Sequence, residues 1–152
     1  MQNILFCFLV LFTHTSLRPG ESVATLTCKS VSGKTLLNAE IPGCAYIEKA
    51  EFSIDGSKLL FVNGDNSSII FDPSNKVFTM ELGIKTQNTA DKFLKFWAIP
   101  SSFKKTKNEK RPGSQFHEIY EFHAKVYATE PRTGFERNTK TIELICTLDY
   151  QL

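Results

Sequence analysis

Turn-forming pairs punctuate this chain, through much of it at intervals of about eight to twelve residues: Ser32-Gly33, Pro42-Gly43, Asp55-Gly56, Asn63-Gly64, Asp72-Pro73, Pro112-Gly113 and Pro131 to Gly134. Segments that short seldom hold a helix of ordinary length, but they suit strands. Between the turns lie runs rich in β-branched and aromatic residues that alternate apolar and polar with a period of two. The spacing therefore predicts an all-β antiparallel meander with strands near 25–31, 34–41, 46–54, 58–63, 67–72, 76–84, 92–99, 115–128 and 139–150. Asp55-Gly56 is the strongest hairpin signal, because a type I′ turn needs positive φ at both central residues. No long window shows helical periodicity, although Asn88 to Phe96 could hold one turn. Eight or nine strands must hide their edges, so the expectation is a small β-barrel or a sandwich.

The first 24 residues stand apart. Ile4 to Phe12 form an apolar run of nine residues, too short to span a bilayer and typical of a signal-peptide core, although no Lys or Arg precedes it. Ser22-Val23-Ala24 supplies small residues for cleavage before Thr25. The reading is thus a cleaved signal peptide over 1–24 and one all-β domain over 25–152, exported to a periplasm or extracellular space. No later apolar run is long enough to cross a membrane as a helix.

Cysteine placement agrees with export. Past the leader the chain keeps Cys28, Cys44 and Cys146, which allow one bridge and one leftover. Leu26 and Cys28 share a parity in the first strand, as do Leu144, Cys146 and Leu148 in the last, so both cysteines can point inward. That favours a Cys28–Cys146 bridge fastening the first strand to the last, as neighbours in an even-numbered closed meander. A Cys28–Cys44 bridge fits less well. A hairpin centred on Ser32-Gly33 leaves Cys44 about 23 Å beyond the residue opposite Cys28, against a disulfide reach of about 7 Å between Cα atoms.

The stretch "SQFHEIYEFHAKVYA", residues 114 to 128, looks most like chemistry. As a strand it divides into an inner set (Phe116, Glu118, Tyr120, Phe122, Ala124, Val126, Ala128) and a solvent set (His117, Ile119, Glu121, His123, Lys125, Tyr127). The two histidines then stand about 20 Å apart and cannot share a metal ion. No G-x-S-x-G, H-E-x-x-H or G-x-x-x-x-G-K-[ST] occurs, and there is no C-x-x-C. The expectation is a protein without catalytic activity, cofactor or metal.

Charge is uneven. The net charge is +2, yet residues 85–111 carry eight Lys or Arg against two acids, while both flanks are mildly acidic. Most of that charge lies in "KKTKNEKR", Lys104 to Arg111, read as a mobile loop. In the preceding strand Leu94, Phe96 and Ala98 face the core, which turns Phe93, Lys95 and Trp97 outward. Phe93, Lys95, Trp97, Lys104, Lys105, Lys107, Lys110 and Arg111 form the candidate docking patch, for an acidic protein, an anionic glycan or a membrane surface. Nucleic acid is a poor fit for an exported chain with a pI near 8.3. Asn66-Ser67-Ser68 is a glycosylation sequon, placed in a turn over Asn63–Ser68. The function read from these features is an exported binding or inhibitory module for a macromolecule, glycan or small ligand, with a structural envelope or matrix protein and a hydrolase lacking a readable motif as the other classes.

Overall fold

A computed structural model describes residues 22–63, 66–84, 92–112, 115–134 and 136–152. The apolar run expected to form a signal-peptide core, Ile4 to Phe12, lies outside the described residues. The strands are β1 (Val23–Lys29), β2 (Thr35–Glu40), β3 (Lys49–Ile54), β4 (Ser57–Val62), β5 (Asn66–Asp72), β6 (Val77–Ile84), β7 (Lys92–Ala98), β8 (Lys104–Arg111), β9 (Gln115–Ala128) and β10 (Ile142–Gln151). All neighbours pair antiparallel, in the order β4-β3-β2-β1-β10-β9-β7-β6-β5, with β8 also on β9. The all-β antiparallel meander holds, and the sheet curls into a half-barrel.

Its openness follows from strand count. β7 and β8 lie end to end along the same edge of β9, β7 opposite Ala124–Ala128 and β8 opposite Gln115–Glu121. Ten strands therefore fill nine positions. In an antiparallel sheet with an odd number of positions the two outermost strands, β4 and β5, run in the same direction. They cannot close the sheet with an antiparallel ladder. Each instead has a short 3-10 turn beside it: Pro131–Thr133 lies against β3 and β4, and Pro42–Cys44 against β1 and β5. Arg132 fixes the first of these, reaching Asp55 Oδ2 at 2.7 Å and Glu130 Oε1 at 2.9 Å. Asp55 and Gly56 link β3 to β4 with φ of 48° and 85°, as the I′ reading requires.

The core fills the curl. Alternate residues of β1, β2, β3, β4, β6, β7, β9 and β10 are buried, from Leu26 and Leu37 to Phe96, Tyr120, Phe122 and Leu148. Phe78 is the centre of an aromatic wedge, with ring centroids 5.6 Å from Phe71, 5.5 Å from Phe96 and 5.9 Å from Phe122. Between β7 and β8 the turn Pro100–Ser102 drops Phe103 into this wedge, stacked on Phe122 at 4.9 Å. The Ser102 hydroxyl accepts from the His123 amide at 2.8 Å and donates to the Ile99 carbonyl at 2.7 Å, replacing ladder bonds lost at the interruption.

β1 and β10 are neighbours, and their register sets Cys28 opposite Cys146. The two form a disulfide with Cα atoms 4.1 Å apart, and each is 1% exposed. The expected bridge is present, although it sits in the middle of the sheet and not at the seam of an even-numbered barrel. β1 includes Val23 and Ala24, so cleavage before Thr25 leaves Thr25–Lys29 to pair with β10.

Three expectations change. Lys104 to Arg111 is a strand, not a mobile loop. The described part of the expected helical turn, Lys92 to Phe96, is extended, while 88–91 lie outside the described residues. Asn66 opens β5 and is not in a turn.

Candidate functional site

β9 divides into faces as its alternation implies, with Tyr120, Phe122, Ala124, Val126 and Ala128 buried inside. His123 is on the solvent side, half-exposed, with Nδ1 3.3 Å from Glu143 Oε1. His117 departs from its expected exposure. It is on the outer parity yet only 7% exposed, because β8 places Glu109 opposite it and β10 brings Asp149 and Gln151 alongside. Its Nε2 is 3.0 Å from Asp149 Oδ1 and its Nδ1 is 3.9 Å from Glu109 Oε2. Once β8 is a strand, a histidine on the outer face becomes a wedged one. Among the described residues no group of three His, Cys, Asp or Glu side chains could hold a metal ion. Alanine at His117 is expected to cost about 0.5–1.5 kcal/mol, from the lost packing and the lost hydrogen bond to Asp149, whose part-exposed carboxylate is then rehydrated. Alanine at His123 should change stability by no more than about 0.5 kcal/mol. Urea unfolding of the two variants compares them directly.

Inside the mouth end of the curl, Glu118 accepts from Lys105 Nζ at 2.6 Å and from the Tyr120 hydroxyl. Burial works against the Glu118 charge, but those two hydrogen bonds and the Lys105 cation outweigh it and hold the carboxyl below its usual range. Burial, together with the Glu118 carboxylate, pushes the Tyr120 hydroxyl upward. Lys105 also lies 5.3 Å from the Tyr120 ring centroid. Cys44, at the turn beside β5, is partly buried, and burial raises its thiol to about 12. At neutral pH the Cys44 thiol and the Tyr120 hydroxyl are therefore protonated, and the Glu118 carboxylate is ionised and paired with Lys105. The cluster clamps β8 onto β9.

The candidate docking residues separate. Phe93, Lys95 and Trp97 do face outward from β7, on the opposite side from Leu94, Phe96 and Ala98, which are buried. Phe93 packs on Tyr127 at 5.2 Å, and Lys95 Nζ is 3.5 Å from Glu81 Oε1. Register places Trp97 between Thr79 on β6 and Lys125 on β9. On β8, Lys104 and Lys107 share the outer parity with Glu121 and Ile119. Lys107 pairs with Glu109 at 3.2 Å. Lys105 and Lys110 take the inner parity with Tyr120 and Phe116. Arg111 stands opposite Gln115 in the same ladder. The basic segment is thus split between two faces, and no single surface carries all eight residues.

Two adjoining depressions do collect the β7 residues. One, about 390 Å³, is lined by Asn66, Gly83, Lys92 and Phe93. The other, about 370 Å³, is lined by Ile70, Thr79 and Trp97. Ser68, Glu81 and Lys95 line both. Both are open to solvent on the outer face of β5, β6 and β7. Sequence alternation finds Phe93, Lys95 and Trp97. It misses Ile70 and Ser68, because only the register of β5 on β6 and β6 on β7 brings them alongside.

Fold and site define a filled antiparallel half-barrel with an aromatic-lined depression on its solvent face. Comparison with known proteins adds nothing to that class: no protein-family model, no curated protein and no solved structure matches the chain.

Proposed function

We propose that the protein is an exported binding module that docks an acidic protein, without catalysis, on the outer face of β5, β6 and β7. The observation that carries this reading is the pair of adjoining depressions in which Trp97, Phe93 and Ile70 surround Lys95. Ile70 is 57% exposed, an aliphatic side chain in water beside a partly buried Trp97. The Lys95–Glu81 pair lies among these apolar side chains, with Lys92 and Lys125 at the margin, and apolar contacts with a polar rim are the anatomy of a protein interface. The interior supports a surface site, because its space is taken by the aromatic wedge. The buried disulfide supports export, since such bonds persist in oxidising compartments, and no described helix is long and apolar enough to cross a membrane.

The test is capture from the native exported fraction, repeated with variants, followed by amide exchange on the complex. Trp97→Ala should cost about 2 kcal/mol of binding, as central aromatic anchors do. Lys95→Glu should slow association and flatten its dependence on salt. Lys95 is the informative lysine, because Lys105 is committed to Glu118 and its reversal disturbs the fold. The reading requires that the captured protein be acidic and protect β6 and β7 amides. It fails if Trp97→Ala binds normally, or if a glycan or lipid vesicle alone accounts for the protection.

A further inference from the structure

The exposed edges of this sheet are guarded unequally. β8 presents a free side among the described residues, but five of its eight residues are Lys or Arg, and a bulge between Lys105 and Lys107 breaks its register. Such charge and irregularity deter pairing with another strand. β4 carries Lys58 and has the Pro131–Thr133 turn against it. β5 has neither device over most of its length. Its sequence is Asn-Ser-Ser-Ile-Ile-Phe-Asp, with one charge, at the last residue. Its pairing with β6 runs without a bulge from Asn66 to Asp72.

The far end of β5 is occupied. Phe71 packs on Tyr120 and Tyr150 at 5.6 and 5.8 Å, and Cys44 from the Pro42–Cys44 turn acts electrostatically on the same Tyr120. That turn therefore sits at the Phe71 end. The preceding stretch is open: Asn66, Ser67, Ser68 and Ile70 are all exposed. No backbone hydrogen bond covers its outer side among the described residues.

We infer that two copies of this chain associate through β5, pairing antiparallel over residues 66–70 about a twofold axis at Ser68. A strand edge offers alternating N–H and C=O groups that an added strand satisfies in full. A second copy of β5 fits because the pairing sets Asn66 opposite the partner's Ile70, Ser67 opposite the partner's Ile69, and Ser68 opposite the partner's Ser68. No like charges meet. The same operation on β8 would set Lys104 against Arg111 and Lys105 against Lys110, which like-charge repulsion opposes. Ile70, exposed in one copy, is flanked in the dimer by a strand that carries no charge at the facing positions. The pairing also brings two outer-face depressions side by side, so the dimer would offer its docking face twice. Association through β5 needs no such docking role.

Sedimentation equilibrium of the purified protein over a dilution series tests it. The expected result is a reversible dimer. Ser68→Lys, a change at an exposed position, should give a monomer with an unchanged circular dichroism spectrum and the melting temperature of wild-type protein diluted until it is monomeric. Ser68→Glu should do the same, and an equimolar mixture of the two variants should restore the dimer. Trp97→Ala should remain dimeric, which separates this pairing from partner docking. A wild-type protein that stays monomeric at its highest soluble concentration overturns the inference. So does a dimer that survives Ser68→Lys, or a mixture that fails to reassociate.

Discussion

Replacing both Cys28 and Cys146 with alanine should destabilise the protein by about 4–5 kcal/mol. The bridge joins residues 118 apart in sequence. In the chain-entropy model, closing a loop of more than a hundred residues restricts the unfolded chain by about that much. The two cysteines are a cross-strand pair of β1 and β10. Position adds to the effect. β1 and β10 join the β4-β3-β2 arm to the β9-β7-β6-β5 arm, so the covalent link spans the middle of the sheet. Total stability of an ordinary domain is only about 5–15 kcal/mol. The double variant should therefore be close to unfolding at 37 °C. Guanidinium unfolding of oxidised, reduced and double-alanine protein gives the number, and a loss below about 1 kcal/mol would contradict the entropic account.

Phe78→Ala should cost about 3–5 kcal/mol, the range for truncating a buried aromatic side chain. Phe78 is 1% exposed and meets three other rings edge-on, a geometry worth about 0.5–1.5 kcal/mol beyond area for each pair. Its loss leaves a void that Phe71, Phe96 and Phe122 cannot all fill, since each is held by its own strand. Phe78→Leu keeps most of the volume but gives up the three ring pairs, so it should cost about 1.5–3 kcal/mol, less than alanine. The pair separates cavity from chemistry: if leucine is as damaging as alanine, ring geometry and not packing volume stabilises the wedge.

Local alternation made most of this fold legible. It placed Leu94, Phe96 and Ala98 inside and Phe93 and Trp97 outside, and it aimed both bridge cysteines into the core. It failed at Lys104 to Arg111, where five cations in eight residues read as a solvated loop. That segment is extended because β9 is twice its partner's length and needs a second neighbour, a fact of pairing that no local pattern contains. The error propagated. With β8 taken as a loop, His117 had no Glu109 beside it and looked exposed. The outer depressions were half legible: their aromatic side is set by parity on β7, whereas Ile70 and Ser68 arrive only through the registers of β5, β6 and β7.

Cys44, the unpaired cysteine among the described residues, bears on how the oxidised chain persists. Exchange between thiols and disulfides proceeds through the thiolate, in proportion to the fraction ionised. With its thiol raised to about 12 by burial, Cys44 at neutral pH is held almost wholly protonated, well below the few per cent thiolate of an ordinary exposed cysteine. The Cys28–Cys146 sulfurs are themselves sealed at 1% exposure. Attacker and target are thus both disarmed by folding. Once the native bridge has formed, the odd cysteine is a spectator, and scrambling requires the chain to open first.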